Sequence, residues 1–474
     1  MLNLVHNFKK LGKDFYSDVT PQKLLNPQIL DINTDLLKTL DLTNLSYPDI
    51  ENILFKNQLS NNYSPIATVY SGHQFGYKVN QLGDGRAIII AEHMVRKNKI
   101  YELQLKGAGK TPYSRGADGL AVVRSSIREY IASIAMQSFN IPSTDALAIA
   151  TSDTKVHREV IENAALVLRV APSFIRFGHF EYFANQNRTS ELQILGNFVI
   201  QNYYPEINIE SKNAIYDFFA KVVEKTAILI AKWQAIGFVH GVMNTDNMSI
   251  LGLTIDYGPY AFIDKFIPNY IYNHSDNYGR YTYTEQISVA YWNLERLMDA
   301  LILIAPDSDK LKTGLTTYID IYNATYLELM VKKLGVDSVE LIQTFLEILY
   351  KYQMDYTFSF RQLSYGRIGF EKLKTLYNTK DDFDNWYQTW NKKVVANKQN
   401  LIQTLELMQQ INPAIVPRTH LLQKVITDVE NNDNSSFDLL LKALKNPFME
   451  YKNCQHLYTI PDPVHENICL SCSS

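Results

Sequence analysis

Cysteine is scarce in this chain of 474 residues: there are three, Cys454, Cys469 and Cys472, all within the last 21 positions. So few over such a length exclude a disulfide framework as the source of stability. Long apolar runs are missing too. A stretch such as Ala300 to Pro306 falls far short of the roughly 20 residues that a membrane-crossing helix needs. The N-terminal segment has neither the charged-then-apolar layout of a secretory signal nor the Arg-rich, acid-free character of a transit peptide. The expectation is a cytoplasmic protein without a membrane partner. Neither sign of charge is in excess: 46 Lys and Arg stand against 49 Asp and Glu, a net charge of −3. That leaves no bulk cationic field to gather nucleic acid or anionic lipid, so any phosphate site must be local. Internal repeats and low-complexity tracts are absent.

What is present is ordinary globular material, 46% hydrophobic and 20% charged, enough for a large core. Residues 1–60 read as an irregular, partly helical N-terminal extension. Strands follow. Arg86 to Glu92 is a β-branched run after a Gly-Asp-Gly turn signal. Lys99 to Lys106 alternates, with Tyr101, Leu103 and Leu105 on one face and Glu102, Gln104 and Lys106 on the other. Helical spacing of Leu120, Val123, Ile127, Ile131 and Ile134 predicts a helix over 119–139. Strands are predicted over 146–151 and 164–170. From about residue 190 the periodicity turns helical. Its clearest element is 212–236, lined by Ile215, Phe218, Phe219, Val222, Ala227, Ile230 and Trp233 and closed by Gly237. Strands, one helix, more strands and then a helical body suit an α+β protein of two lobes with a cleft between them. The division read from the sequence is 61–188 for a β-rich nucleotide-binding lobe, 189–450 for a helical lobe and 451–474 for a cysteine-bearing tail.

Several residue types point to phosphate and metal chemistry. Lys106 ends a strand on its polar face, and Glu129 lies on the next helix among small residues. A strand Lys paired with a helix Glu is how protein kinases hold nucleotide phosphates, although two unrelated surface charges would give the same spacing. Gly83-Asp84-Gly85-Arg86 can offer backbone N–H groups to phosphate, or can be a plain hairpin turn. Neither of the common glycine-rich nucleotide fingerprints is present. The sharpest cluster is His240-Gly241-Val242-Met243-Asn244-Thr245-Asp246-Asn247, followed by Asp256-Tyr257-Gly258. Asn247 and Asp256 supply the hard oxygens that Mg²⁺ takes when bound with nucleotide phosphates. Asp-Tyr-Gly stands where kinases carry Asp-Phe-Gly. Kinases place their base five residues before the metal Asn; here that position is Val242, which takes no proton, and the nearest carboxylate is Asp246. Arg169 and Arg176, seven residues apart, are either phosphate forks or surface residues.

The motifs YSGHQFG (Tyr70 to Gly76), QLGDGRA (Gln81 to Ala87), LQLKGAGKTPYSR (Leu103 to Arg115) and ADGLAVVRSSIREYI (Ala117 to Ile131) occur in that order. HGVMNTDNMSILGLTIDYGPYAFID (His240 to Asp264) and NHSDNYGRY (Asn273 to Tyr281) follow. On these motifs the chain resembles the selenoprotein O family of kinase-like protein adenylyltransferases, over most of its length. The resemblance implies a protein-kinase-like bilobal fold, with a β-rich N-lobe and a mainly helical C-lobe, that holds ATP in a flipped orientation. It implies transfer of AMP to Ser, Thr or Tyr hydroxyls of protein substrates, the chain itself among the candidates. It places Gly83, Gly85, Arg86, Lys106, Asp118, Gly119, Glu129, Arg169, Arg176 and Asp256 around ATP, and Asn247 and Asp256 on Mg²⁺, with Mn²⁺ as an alternative. It makes Asp246 the catalytic base. Two other readings stay open: an ATP-dependent phosphotransferase with a displaced base, and a nucleotide-binding pseudokinase scaffold.

Cys469-Leu470-Ser471-Cys472 is a C-x-x-C pair that could form a reversible disulfide. With Cys454, His456 and His465 it could also bind zinc, though the spacing fits no standard zinc pattern. Some bacterial relatives carry a cysteine just before the NHSD segment, able to pair with one in the tail; here that position is Tyr272. The expectation is that the thiols modulate activity and are not part of the chemistry.

Overall fold

The computed structural model describes residues 2–56, 63–396 and 401–462. Its framework is a nine-stranded antiparallel sheet. The strands run in the order Tyr16–Asp18, Ile66–Thr68, Ala87–Met94, Ile100–Lys106, Ile161–Ala171, Asp145–His157, Gln28–Ile32. Leu4–Val5 adds to Ala87–Met94, and Ala121–Val122 adds to Ile161–Ala171. The N-terminal extension differs from the sequence expectation. Residues 2–56, read as an irregular leader, supply three of these strands. The strands are two to five residues long and pair with partners far along the chain, so no local alternation marks them.

The two faces of the sheet are covered by different elements. Leu103, Leu105, Ile88 and Leu168 pack on Leu36, Leu37, Leu40 and Ile50 from the short N-terminal helices. On the other side Ile89, Ile149 and Val167 pack against Ile127, Ile131 and Ile134 of the helix Val123–Ser138. That helix begins four residues later than the periodicity suggests, because Ala121–Val122 is held in a strand.

The second lobe is built around the helix Ala214–Ile236, with Gln286–Leu301 and Ser308–Leu334 packed beside it. All seven residues of its predicted stripe are buried. Gly237 ends the helix in the left-handed region, φ +80°, where a side chain is disfavoured. The chain then enters a short strand pair, Phe238–Val239 with Ala261–Phe262. This pair brackets the segment holding Asp246, Asn247 and Asp256. The β-like pieces expected near 249–256 are single bridges, Ser249 to Arg176 and Thr254 to Ser143, which tie this segment to the β-rich lobe. A second hydrophobic core, with Phe345, Phe360, Trp386 and Trp390, fills the helical lobe farther along the chain. Among the described residues no helix is long and apolar enough to cross a membrane.

Candidate active site

Register brings the cationic residues together. Gln104 pairs directly with Arg169, and Lys106 with Val167, on the adjacent strands Ile100–Lys106 and Ile161–Ala171. The face carrying Glu102, Gln104 and Lys106 is not open to solvent: all three residues are buried. Buried polar groups require partners: Glu102 accepts from Phe174 N at 2.9 Å and Ser173 Oγ at 3.2 Å, and the cations Lys106 and Arg169 share Glu129. Lys106 Nζ donates to the Glu129 carboxylate, and Arg169 Nη1 donates to the other Glu129 oxygen at 3.2 Å. Sequence spacing alone left Lys106 and Glu129 open as surface charges; here they form one buried pair, 7% and 2% exposed.

Asp256 stands opposite, in the left-handed region at φ +60°, an uncommon conformation for a residue with a side chain. Its two carboxylate oxygens accept from Arg169 and Arg176, and Lys106 Nζ lies 3.7 Å away. Burial alone would raise its pKa. The three cations Arg176, Arg169 and Lys106 outweigh burial and hold the carboxyl well below its usual range. For Lys106 the balance falls the other way: desolvation, the largest influence, lowers the ammonium pKa despite Glu129 and Asp256.

The loop ahead of Asp256 is fixed from several sides. His240 is buried and held neutral by desolvation, with its ring Nε2 at 2.9 Å from the Ile255 carbonyl. Asn293 Nδ2 donates to the Met243 carbonyl at 2.9 Å. Arg176 Nη1 reaches the Asp246 carbonyl at 2.6 Å, and Asn247 Nδ2 donates to the Val242 carbonyl at 3.0 Å. The amide oxygen of Asn247 is thereby turned toward Arg176, 3.4 Å from Nη1.

Asp246 is 8% exposed, and desolvation pushes its carboxyl up to about 6. One oxygen accepts from Gln74 Nε2 at 3.3 Å; the other has no partner among the described residues. The backbone of Gly72 presses on it, since a Cβ there would stand 2.7 Å from Asp246 Oδ1. Sequence reasoning missed this contact. YSGHQFG entered only as part of a resemblance, yet its hairpin tip docks on the loop: His73 N donates to Thr245 Oγ1 at 2.7 Å and Phe75 N to Asn244 Oδ1 at 3.2 Å.

These residues line a cavity of about 500 Å³ between the lobes. Gly83, Gly85, Arg86, Lys106, Asp118, Gly119, Arg169, Arg176, Asp246, Asn247 and Asp256 all face it, and Glu129 lies behind Lys106. Gly83-Asp84-Gly85 is more than a hairpin turn. Asp84 accepts from Thr68 N at 2.9 Å, and a Cβ at Gly83 would sit 2.4 Å from the Tyr113 ring. Asp118 is gripped by both Nη atoms of Arg158, at 2.7 and 2.9 Å, which lowers its pKa. Arg158 is another lining residue that the sequence did not disclose, because its partner lies 40 positions away.

The oxygen donors suit a hard cation bound together with phosphates: one carboxylate at Asp256 and one amide oxygen at Asn247, whereas the unpartnered Asp246 oxygen is buried under Gly72. Among the described residues no group of three or more His, Cys, Asp or Glu side chains could hold a metal unaided. Cys454 is buried, whereas His465 and the Cys469–Cys472 pair lie outside the described residues.

A strand-rich lobe and a helical lobe facing each other across this charged cleft define a kinase-like bilobal protein. The chain belongs to the family described as "Protein adenylyltransferase SelO", whose profile matches residues 1–445. It is similar to a protein nucleotidyltransferase YdiU of Variovorax paradoxus, 45% identical over 420 residues, covering 86% of this chain and 84% of that one. It is also similar to those of Ectopseudomonas mendocina and Pseudomonas fluorescens, at 39% and 40% identity, each covering 100% of this chain and 99% of the relative. The enzyme class is that of nucleotidyltransferases.

Proposed function

We propose that the chain transfers AMP from ATP to Ser, Thr or Tyr hydroxyls of protein substrates and releases pyrophosphate. The observation that carries this reading is the cavity lining: six cations, Arg86, Lys106, Arg115, Arg158, Arg169 and Arg176, face four carboxylates, Asp84, Asp118, Asp246 and Asp256, with Glu129 behind Lys106. That cationic excess suits the β- and γ-phosphates of a triphosphate whose tail points into the β-rich lobe. Asn247 and Asp256 would hold Mg²⁺, which supplies charge neutralisation at the phosphates when bound; Mn²⁺ has the same ligand preferences. Gly83, Gly85 and Gly119 allow close backbone approach, and Asp118 and Arg86 flank the same wall.

In the transfer, the acceptor hydroxyl oxygen forms a bond to the α-phosphorus. The bond from that phosphorus to the bridging oxygen of the β-phosphate breaks. The electron pair leaves with pyrophosphate, which Arg169, Arg176 and Lys106 stabilise, and the hydroxyl proton passes to the Asp246 carboxylate. Val242 cannot orient a hydroxyl, so attack on a γ-phosphate held in the ordinary kinase pose would lack its base. The test uses ATP labelled separately at the α- and γ-phosphates. The α-label should enter protein and pyrophosphate should be released. Entry of the γ-label, with ADP released, would replace this reading with a phosphotransferase; entry of neither, with ATP bound, would leave a scaffold.

A further inference from the structure

Beside the nucleotide cavity lies a larger groove of about 930 Å³. One wall is the tip of the Gly72–Gln74 and Tyr77–Val79 hairpin. The other is the 269–285 segment with the first turns of the helix Gln286–Leu301. Phe75 lines both spaces, so the groove borders the cavity edge where Asp246 and Asn244 stand. We infer that this groove seats the acceptor polypeptide as an extended segment bearing a carboxylate close to the hydroxyl residue that is modified. The inference rests on the transfer reading above.

Three features favour that occupant. The rim carries aromatic surface held out to solvent: Tyr77 is 76% exposed and Tyr278 95%. Such surface suits the side chains of a polypeptide better than a small solute. The groove floor is also fixed in place. Asp276 accepts from Arg280 N at 3.0 Å and Tyr281 N at 2.7 Å, and Tyr281 Oη donates to Asn244 Oδ1 at 2.7 Å. The wall and the catalytic loop therefore form one unit, so a chain lying in the groove keeps a constant distance from Asp246. The third feature is charge. The Arg280 guanidinium lies 4.6 Å from the centre of the Trp292 ring, with Gly76 on its other side, where a Cβ would be 3.5 Å from Cζ. Arg296 stacks on the same ring, but its charge is met by Asp299 at 3.2 Å. No carboxylate of a described residue forms an ion pair with Arg280, because the nearby Asp276 is committed to backbone N–H groups. A stacked, half-buried guanidinium with open donors is suited to a carboxylate from outside.

The test uses two fluorescent 13-residue peptides, each with a central Tyr and either Glu or Lys at the three positions on both sides. Anisotropy is read with protein loaded with magnesium and a non-hydrolysable ATP analogue, and transfer is read with α-labelled ATP. The Glu peptide should bind about tenfold more tightly than the Lys peptide, as expected for a charge-assisted hydrogen bond in a partly desolvated site. Arg280→Gln should remove that preference and Arg280→Glu should reverse it, while the nucleotide affinity of both variants stays at the wild-type value. Reversal by the charge swap also excludes simple misfolding. Equal binding of the two peptides to wild type, or an unchanged preference in both variants, overturns the inference. Entry of the γ-label would defeat the transfer reading alone, since the anisotropy difference does not depend on which phosphate moves.

Discussion

At the scale of single residues the site is decided by who neutralises whom. From sequence alone, Asp256 is a metal ligand that could be removed without touching the fold. The structure gives it a second task. Both of its oxygens are bonded to arginines only 1% and 2% exposed, so removing the carboxylate strands buried cations. Breaking such a pair costs about 3–5 kcal/mol. Asp256→Ala should therefore abolish metal-dependent AMP transfer and also lower the melting temperature in the absence of nucleotide. Transfer assays and calorimetry on the same preparation check both outcomes. Lost turnover with unchanged melting would mean that Glu129 and Gln104 suffice to hold Arg169, and the Asp246 carbonyl and Asn247 to hold Arg176.

At the scale of elements, the chain positions its loop by ending a long helix abruptly. Gly237 adopts φ +80°, and a Cβ there would stand 2.8 Å from the Tyr356 ring. Gly237→Ala should lower unfolding stability by about 1–2 kcal/mol, the usual cost of the left-handed conformation for an L-residue, with more added by the ring contact. Transfer per folded molecule should stay near normal, since the loop is also held by Asn293 and the Phe238–Val239 strand pair. Urea midpoints and active-site-normalised rates measure the two effects separately. How much of this was legible depends on the range of each interaction. The alternation of Ile100–Lys106, the stripe of Ala214–Ile236 and the Asn247–Asp256 spacing are local patterns, and each emerges where the sequence placed it. The N-terminal strands, the Arg158–Asp118 clasp and the seating of Gly72 on Asp246 join residues 40 to more than 170 positions apart. No periodicity encodes such contacts; only the closed sheet and the docked lobes create them.

At the scale of the whole molecule, the lobes are joined by ionic contacts across the cavity in which the nucleotide is proposed to sit. Arg169 and Arg176 belong to the β-rich lobe, and their partners, the Asp256 carboxylate and the Asp246 backbone carbonyl, belong to the helical one. On the proposed reading, a triphosphate entering the cavity would compete for those arginines and leave Asp256 free to accept a cation. Metal and nucleotide should then stabilise the protein jointly. On that reading, Mg²⁺ alone would find one ionised carboxylate and one amide oxygen from Asp256 and Asn247, too few for a tight site. ATP alone adds phosphate charge next to Asp256 and Asp246. Bound together, each neutralises what opposes the other. Thermal melting should show almost no shift with Mg²⁺, a small shift with ATP in excess chelator, and the largest with both. Ligand at a hundredfold over its dissociation constant stabilises by about 2.7 kcal/mol, ample for a measurable rise. In Asp256→Asn the added effect of Mg²⁺ on the ATP shift should vanish, because the neutral amide still bonds one arginine but no longer offers the cation a charge. Equal shifts with and without metal in the wild type would mean that nucleotide is held by the cations alone, and that Asp256 serves only to join the lobes.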